Sequence, residues 1–285
     1  MRFIFDISLY SDFLNNLKDA KANFELHSTN YTKVIKCEEG IYTFNEKGER
    51  KTKELALINL VRQDAKKFIA DGQFDDEVLR KVERKISWYE MVKKPKDGTT
   101  IAKIDLNSAY WEQALKIGLI TDRTNDFFIQ NFKDLTGVEL KKIRLRALGS
   151  LATVKRVYYY TEGELVQTIP FKQPTRDLYF LICSGIDNLL KRCIFENYDY
   201  CYYYYWDCVF VKGKYTKQVV DWFKRQNYDV KFDHDKIRNV KIAGSSYLLT
   251  VDSNKMYMVN KDQIKMLESN NNKIVEFDSN SFHNF

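Results

Sequence analysis

Two aspartates, Asp105 and Asp207, stand at positions that suit a metal ligand. Asp105 ends the apolar segment IAKID, whose pattern predicts a strand, and a helical pattern begins directly after it. Asp207 lies at the predicted turn of a hairpin that reads YDYCYYYYWDCVFVK. If this strand and this hairpin lie side by side in one sheet, the two carboxylates can meet. Oxygen ligands suit Mg²⁺, and two such ions stabilise the attacking and leaving oxygens of a phosphoryl transfer.

Each aspartate also has a purely structural explanation. An aspartate at a strand end often caps the next helix, and an aspartate at a hairpin tip often forms the turn. The basic segment between them favours the catalytic interpretation, because no acidic residue lies between Lys141 and Arg156. A solvated helix face rarely lacks acids, so this segment predicts a phosphate-facing surface. Its cations are Lys141, Lys142, Arg144, Arg146, Lys155 and Arg156.

The composition permits a nucleic-acid partner and argues against several other classes of protein. The 285 residues carry a formal net charge of +7, which is compatible with a polyanion. Five cysteines without a CxxC pair argue against a disulfide framework or a zinc site, and three scattered histidines argue against a histidine-based metal site. The sequence contains no long apolar run and its start does not read as a signal peptide. We therefore expect no membrane span and a reducing, cytoplasmic location.

The order of predicted elements is typical of an α+β fold. The loop KKPKDGTT divides the chain into an N-terminal cap of unknown role, residues 1–95, and a catalytic region, residues 96–285. The cap is expected to hold short strands and two helices, the second over residues 75–92. The catalytic region is expected to run from the strand 101–105 through three helices, two strands, a long helix at about 174–195, the hairpin and a further helix.

The residues that follow Asp105 resemble motif A of the family B DNA polymerases, DxxSLY. Here the motif reads Asp105-Leu-Asn-Ser108-Ala-Tyr110, and the next two residues depart from the usual Pro-Ser of the family. The resemblance implies that Asp105 and Leu106 contact the metal ions. It also implies that Ser108 and Tyr110 contact the incoming nucleotide, with the Tyr110 ring lying under the sugar and excluding a 2′ hydroxyl.

The hairpin resembles motif C of the same family, YxDTDS followed by an apolar strand. In the register that the downstream VFVK favours, Tyr203 matches the tyrosine of the motif and Asp207 its second, essential aspartate. Tyr205 then replaces the first aspartate. The alternative register makes Asp207 the first aspartate and places Val209 where the second belongs.

Two weaker matches follow the same motif order. The segment from Lys141 to Gly149 is similar to the motif B helix, KxxxNxxYG, and this similarity implies that Lys141, together with Arg144, contacts the triphosphate. A plain amphipathic basic helix is the alternative. Lys255-Met-Tyr257 is similar to the KxY element near the primer terminus, where an ordinary strand is the alternative. The expected DNA-binding set consists of Lys155, Arg156, Lys255 and Tyr257.

The resemblance covers residues 101–257 and implies a polymerase palm, an antiparallel sheet with helices packed on one face. The fingers would be a short hairpin at about 111–149, and the chain has no room for a full thumb or an exonuclease domain. The implied activity adds deoxynucleotides from dNTPs to the primer of a DNA primer–template with two Mg²⁺ ions, or Mn²⁺ in their place, without proofreading. Two alternatives stay open: a primase or template-independent nucleotidyltransferase, and a degenerate palm that only binds. Such a reduced enzyme suits a phage acting in the host cytoplasm, with an accessory replication protein as a further partner.

Overall fold

The computed structural model describes residues 1–29, 32–46, 48–72, 89–91, 96, 98–153, 155–171, 175–243, 246–251, 256–260 and 264–267. These residues form two compact units. The first contains the described residues of 1–72 and 117–179, and the second those of 89–116 and 180–267. This division differs from the expected boundary near residue 95, because residues 117–179 belong with the N-terminal segment. The expected fingers region, 111–149, is divided between the units.

The described elements are fourteen strands and seven α-helices. The strands are β1 (Arg2–Asp6), β2 (Phe24–Ser28), β3 (Thr32–Cys37), β4 (Gly40–Asn45), β5 (Tyr89–Met91), β6 (Thr100–Leu106), β7 (Lys155–Thr161), β8 (Glu164–Phe171), β9 (Cys201–Tyr205), β10 (Cys208–Lys212), β11 (Val230–Ala243), β12 (Ser246–Val251), β13 (Met256–Asn260) and β14 (Ile264–Leu267). The helices are α1 (Tyr10–Asp19), α2 (Glu49–Ala70), α3 (Ala109–Lys116), α4 (Asp122–Phe132), α5 (Gly137–Gly149), α6 (Arg176–Glu196) and α7 (Thr216–Arg225).

The first unit contains a six-stranded sheet in the order β1-β4-β3-β2-β7-β8. β1 runs parallel to β4, and the other neighbours are antiparallel. Alternating apolar residues of β2, β3 and β4 place Phe24, Leu26, Ile35 and Phe44 in a buried cluster, against which α1 packs. The pairing of β2 with β7 joins residues more than a hundred positions apart. This pairing explains why a local pattern does not predict the division of the chain.

The same unit contains α2, α4 and α5, whose buried stripes face one another. Asp64 on α2 accepts hydrogen bonds from the backbone nitrogen and the hydroxyl of Thr121, at 3.0 and 2.9 Å, and so fixes the start of α4. Thr136 and Glu139 form the expected capping box at the start of α5. The carboxylate of Glu54 on α2 lies 3.0 Å from Nη1 of Arg146 on α5.

The second unit contains an antiparallel sheet in the order β14-β13-β12-β11-β6-β10-β9-β5. β6 lies between β11 and β10, and its residues are buried on both faces except at its start and at Lys103. Ile101, Ala102, Ile104 and Leu106 are at most 2% exposed. A strand that is paired on both sides and covered on both faces is held rigidly in the fold.

Two helices contact the same face of this sheet. The Tyr204 hydroxyl of β9 donates to Asp187 of α6, and the hydroxyl of Thr216, the first residue of α7, lies 2.9 Å from Nε2 of His234 on β11. The strand registers place Tyr204 and His234 on the face that also holds Ile104. Trp222 of α7 donates to a Glu196 carboxylate oxygen at 2.6 Å, which joins the two helices.

The described elements confirm the α+β class and several sequence predictions. The strand at 101–105, the long helix at 174–195 and the tyrosine-rich hairpin are present as β6, α6 and β9–β10. The helix expected over 75–92 is wrong at its end, where residues 89–91 form β5, and its earlier part lies outside the described residues. No helix in the described part of the chain is long and apolar enough to cross a membrane.

Candidate active site

Asp105 lies near the end of β6, on the face opposite to the one that α6 and α7 contact. Its side chain is 12% exposed. The strand register places Cys208 of β10 on one side of it and Lys231 of β11 on the other. Side chains directly opposite in neighbouring strands share a face of the sheet. A largely buried carboxylate therefore projects from a strand that is paired on both sides.

Two lysines pair with this carboxylate. Lys231 Nζ lies 3.1 Å from Oδ2 of Asp105, and Lys103 Nζ lies 3.7 Å from its Oδ1. Lys103 precedes Asp105 by two residues, so strand alternation places both side chains on one face. The lysines are 63% and 40% exposed, which lets their ammonium groups remain hydrated while they neutralise the carboxylate.

Asp207 lies in the turn between β9 and β10, adjacent to the end of β6. Its carbonyl oxygen accepts a hydrogen bond from the backbone nitrogen of Leu106 at 2.9 Å. Cys208, the next residue, pairs with Asp105. With the usual strand spacing and rise, the Cα atoms of Asp105 and Asp207 are roughly 6 Å apart. Because Asp207 belongs to a turn, strict alternation does not decide the face to which its side chain points.

The oxygen ligands at this point fit Mg²⁺ in their chemistry. The two carboxylates and the main-chain carbonyl of Leu106 are hard donors of the kind that Mg²⁺ and Mn²⁺ prefer. In the described part of the chain, no three histidine, cysteine, aspartate or glutamate side chains group together as a metal site. Waters or phosphate oxygens would complete the coordination of a bound ion, because Mg²⁺ usually keeps several waters. The positive charge of the Lys231 ammonium group disfavours the binding of a cation at the same carboxylate.

The turn after Asp105 leads directly into α3. Ser108 has a left-handed backbone, φ 53°, and its carbonyl accepts from the backbone nitrogens of Trp111 and Glu112 at 2.8 and 3.0 Å. Ser108 thus begins α3, with Tyr110 half-buried on its first turn. The structure brings Asp105, Ser108 and Tyr110 together on one strand–turn–helix segment.

The C-terminal half of α3 is attached to the segment that precedes β11. The Tyr228 hydroxyl donates to the Gln113 side chain, and Lys116 donates to the Gln226 carbonyl at 2.9 Å. Lys116 Nζ also lies 3.1 Å from the centre of the Tyr228 ring. Burial, with a smaller contribution from the Glu112 carboxylate, raises the pKa of the Tyr228 phenol to about 12. These contacts fix the helix that carries Tyr110.

The hairpin that carries Asp207 is anchored through its tyrosines. The Tyr204 hydroxyl donates to Oδ1 of Asp187 at 2.6 Å, and Oδ2 of Asp187 pairs with Lys191 at 2.7 Å. The Tyr203 ring stacks on Phe210 of β10, with 4.3 Å between the ring centres. Tyr202, Tyr203 and Tyr204 are all buried, so none of these three described rings lines an open cleft. These rings are buried because the sheet is covered on both faces at this hairpin.

The residues expected to bind the triphosphate lie on α5, in the first unit. Lys141 is exposed, and the Arg144 guanidinium lies 5.2 Å from the centre of the Phe128 ring. On this helix Leu148 is 1% exposed and packs into the core, whereas Leu145 is 38% exposed.

The acid-free segment lies beside an acidic residue of another helix. Arg146 pairs with Glu54 of α2, so its acidic partner comes from a different element rather than from its own helix. Lys155 and Arg156 are consecutive on β7 and point to opposite faces of the sheet, so they cannot contact one phosphate strand side by side. Burial, with the positive charge of Lys36, lowers the pKa of Lys155.

The last predicted element falls at the edge of the described structure. Lys255 lies outside the described residues. Tyr257 belongs to β13, where it pairs with Leu249 of β12 and Met266 of β14. An ordinary antiparallel strand was the alternative interpretation of this segment, and the backbone at Tyr257 is such a strand.

Lys231 is the residue of this site that sequence reasoning missed. It lies 126 positions after Asp105 in the chain, and only the pairing of β11 with β6 brings the two together. No local motif marks it. The sequence shows only a basic residue in an alternating strand pattern, and such a pattern does not specify which acidic residue the lysine will contact.

Comparison with protein-family models, with curated proteins and with solved structures finds no match for this chain. The geometry around Asp105 and Asp207 is therefore the basis of the proposed function.

Proposed function

We propose that this protein is a palm-type nucleotidyltransferase that adds deoxynucleotides to the 3′ hydroxyl of a DNA primer. The observation that carries the proposal is the position of the two aspartates. Asp105 is fixed on a central antiparallel strand, and Asp207 lies in the adjacent hairpin turn, with its carbonyl bound to the residue after Asp105. The carboxylate of Asp105 projects from the sheet face opposite to the one that α6 and α7 contact. This arrangement supports the assignment of a palm.

In the proposed mechanism, Asp105 and Asp207 would hold two Mg²⁺ ions together with the carbonyl of Leu106. When bound, these ions supply electrostatic stabilisation for the attacking and leaving oxygens of the phosphoryl transfer. The rigid pairing of β6 holds the Asp105 carboxylate in position before substrate arrives, which reduces the cost of ordering the site. The half-buried Tyr110 ring, one turn further along the segment, would lie against the sugar and exclude a 2′ hydroxyl.

The test is a primer-extension assay with dNTPs and Mg²⁺ on a primed and on an unprimed template. Wild-type protein is expected to extend the primed template. Asp105→Asn and Asp207→Asn should each abolish extension, and the double variant should be hardly worse than either, because the two carboxylates act as a unit. Full activity in Asp207→Asn would exclude the proposed role of the hairpin. Extension from the unprimed template alone would favour the primase alternative.

A second candidate function has its own observation. Lys231 and Lys103 both pair with the Asp105 carboxylate and neutralise its charge. A palm that has lost catalysis and serves as a nucleic-acid-binding module would keep such pairs, since they stabilise the sheet. In that case the protein would bind DNA, but neither Mg²⁺ nor Mn²⁺ would bind at Asp105. Metal binding thus separates the two candidates.

A further inference from the structure

The six-stranded sheet of the first unit brings three polar side chains together at one end of three neighbouring strands. Ser28 of β2 pairs with Lys33 of β3 on one side and with Arg156 of β7 on the other. Side chains directly opposite in neighbouring antiparallel strands share a face of the sheet. Lys33, Ser28 and Arg156 therefore form a row on one face, and the two outer members of the row are cationic.

This row continues the apolar face against which α1 packs. Phe24 and Leu26 belong to the buried cluster of that face, and strand alternation along β2 places Ser28 on the same side. The neighbour of Lys33 on β4 is Phe44, which is fully buried. The row thus lies where the apolar face ends, beside a ring that cannot hydrate the Lys33 ammonium group.

Lys33 is half-buried, and its partners are uncharged. Its ammonium group donates to the hydroxyl of Ser28 and to the carbonyl of Thr29, the latter at 3.3 Å. Burial lowers the pKa of this lysine. In the part of the chain that the structure describes, no carboxylate lies within ion-pair distance of Lys33. A partly desolvated charge without a counter-ion costs free energy, and an anion bound beside it would offset that cost.

The hydrogen bonds within the row leave donors for such an anion. An ammonium group only donates, so the Ser28 hydroxyl accepts from Lys33 and keeps its own hydrogen for a further acceptor. The ammonium group has three N–H donors, and its bonds to Ser28 and Thr29 use two of them. Arg156 is exposed and adds a planar fork of donors from the other side of Ser28. A phosphate group, whose several oxygens share negative charge, matches this set of donors.

We propose that Lys33, Ser28 and Arg156 bind a phosphate group. Under the proposed function, on which this choice of ligand rests, the phosphate belongs to the backbone of the DNA substrate. The partner of Arg156 in this site is Lys33 rather than Lys155, because Lys155 points to the opposite face of the sheet. Free phosphate and the triphosphate of a nucleotide have the same chemistry, so the experiment tests each source.

Replacement of Lys33 by methionine separates binding from a structural role. The variant loses the charge but keeps an unbranched apolar side chain, so Tm should stay the same or rise. Affinity for a fluorescent primer–template, measured by anisotropy without divalent metal, should fall by about fivefold near physiological salt. The slope of log affinity against log salt should decrease by about one, and Arg156→Gln should change the slope similarly.

Lys36→Met is the matched control. Lys36 lies on the same strand as Lys33, but it points to the other face of the sheet, where it pairs with Glu25 at 3.4 Å. This variant removes the same charge from β3 and should leave both the affinity and the salt slope unchanged. An equal loss in Lys36→Met and Lys33→Met would overturn the proposal, because the effect would then come from net charge alone.

Calorimetric titration of wild type and Lys33→Met with inorganic phosphate and with dATP, at constant ionic strength, distinguishes the sources. A loss of DNA affinity without a change for the small ligands assigns the site to the DNA backbone, and weaker binding of the small ligands assigns it to a free phosphate group. Wild-type protein that binds none of the three ligands, or a Lys33→Met variant that binds all of them as wild type does, would overturn the proposal. These readouts need no catalysis, so they test the site even if the primer-extension assay shows no activity.

Discussion

Lys231 and Asp105 face each other across the pairing of β11 with β6, with 3.1 Å between the ammonium nitrogen and Oδ2 of the carboxylate. Lys103 approaches the other oxygen of the same carboxylate. The proposed metal ligand is thus neutralised by two lysines of its own sheet. A divalent ion at Asp105 has to displace these ammonium groups or remain beside them. The affinity of the site for the ion therefore depends on the two lysines.

Replacement of Lys231 by methionine should strengthen metal binding. The variant removes a positive charge a few ångströms from the ion, which is worth about 1 kcal/mol even in a high dielectric, or about fivefold in Kd. Isothermal titration with Mn²⁺ measures the change. Lys217→Met is the matched control, since it breaks an exposed lysine–aspartate pair of 2.6 Å on α7. Unchanged or weaker Mn²⁺ binding in Lys231→Met would contradict the assignment of Asp105 as a ligand.

Replacement of Tyr204 by phenylalanine should destabilise the protein by about 1–3 kcal/mol, because Asp187, which is 2% exposed, loses a hydrogen-bond donor. Urea denaturation measures the loss. Tyr215→Phe, which keeps the stacking of this ring on Tyr200, should change stability little. A neutral Tyr204→Phe variant would show that the Asp187 contact does not anchor the hairpin.

Replacement of Glu54 by glutamine should cost about 1–2 kcal/mol, because this side chain is 8% exposed and pairs with both Arg50 and Arg146. Glu49→Gln provides the control, since Glu49 is 83% exposed and its pair with Lys53 should contribute little to stability. Thermal unfolding compares the two variants. Equal effects of the two variants would mean that the ion pairs between α2 and α5 contribute no more to stability than exposed surface pairs.

Replacement of Tyr110 by alanine should relax the choice of sugar. Without the ring, rNTP incorporation should rise relative to dNTP incorporation by about 10- to 200-fold, the usual range for a pocket that discriminates by shape. Tyr110→Phe keeps the ring and should keep the preference for dNTPs. The measurement is the ratio of kcat/KM for the two nucleotides. If wild-type protein uses rNTPs as readily as dNTPs, Tyr110 is not a gate and the primase alternative gains support.

The sequence predicted the strands and helices that carry the candidate site. It did not predict how these elements assemble. Continuous apolar residues identified the strand that ends at Asp105, and the capping residues Thr136 and Glu139 identified the start of α5. These signals are local. The tyrosine-rich strands were also found from composition, although the burial of their rings was not.

Long-range pairing determined the features that the sequence did not reveal. The pairing of β7 with β2 places the region after Gly149 in the first unit, and the pairing of β11 with β6 brings Lys231 to Asp105. The ion pair between Arg146 and Glu54 likewise joins residues that are far apart in the chain. Such contacts depend on the register of distant strands and on the packing of helices, which a single sequence does not encode in any local pattern.

The central claim is that Asp105 and Asp207 hold two divalent ions in one site, and a crystal soaked with Mn²⁺ tests it most directly. The account predicts two anomalous-scattering peaks within about 4 Å of each other, both bound by these carboxylates, with the Lys231 ammonium moved away from Asp105. A soaked crystal without a peak at Asp105, in which Lys231 still pairs with its carboxylate, would contradict the account.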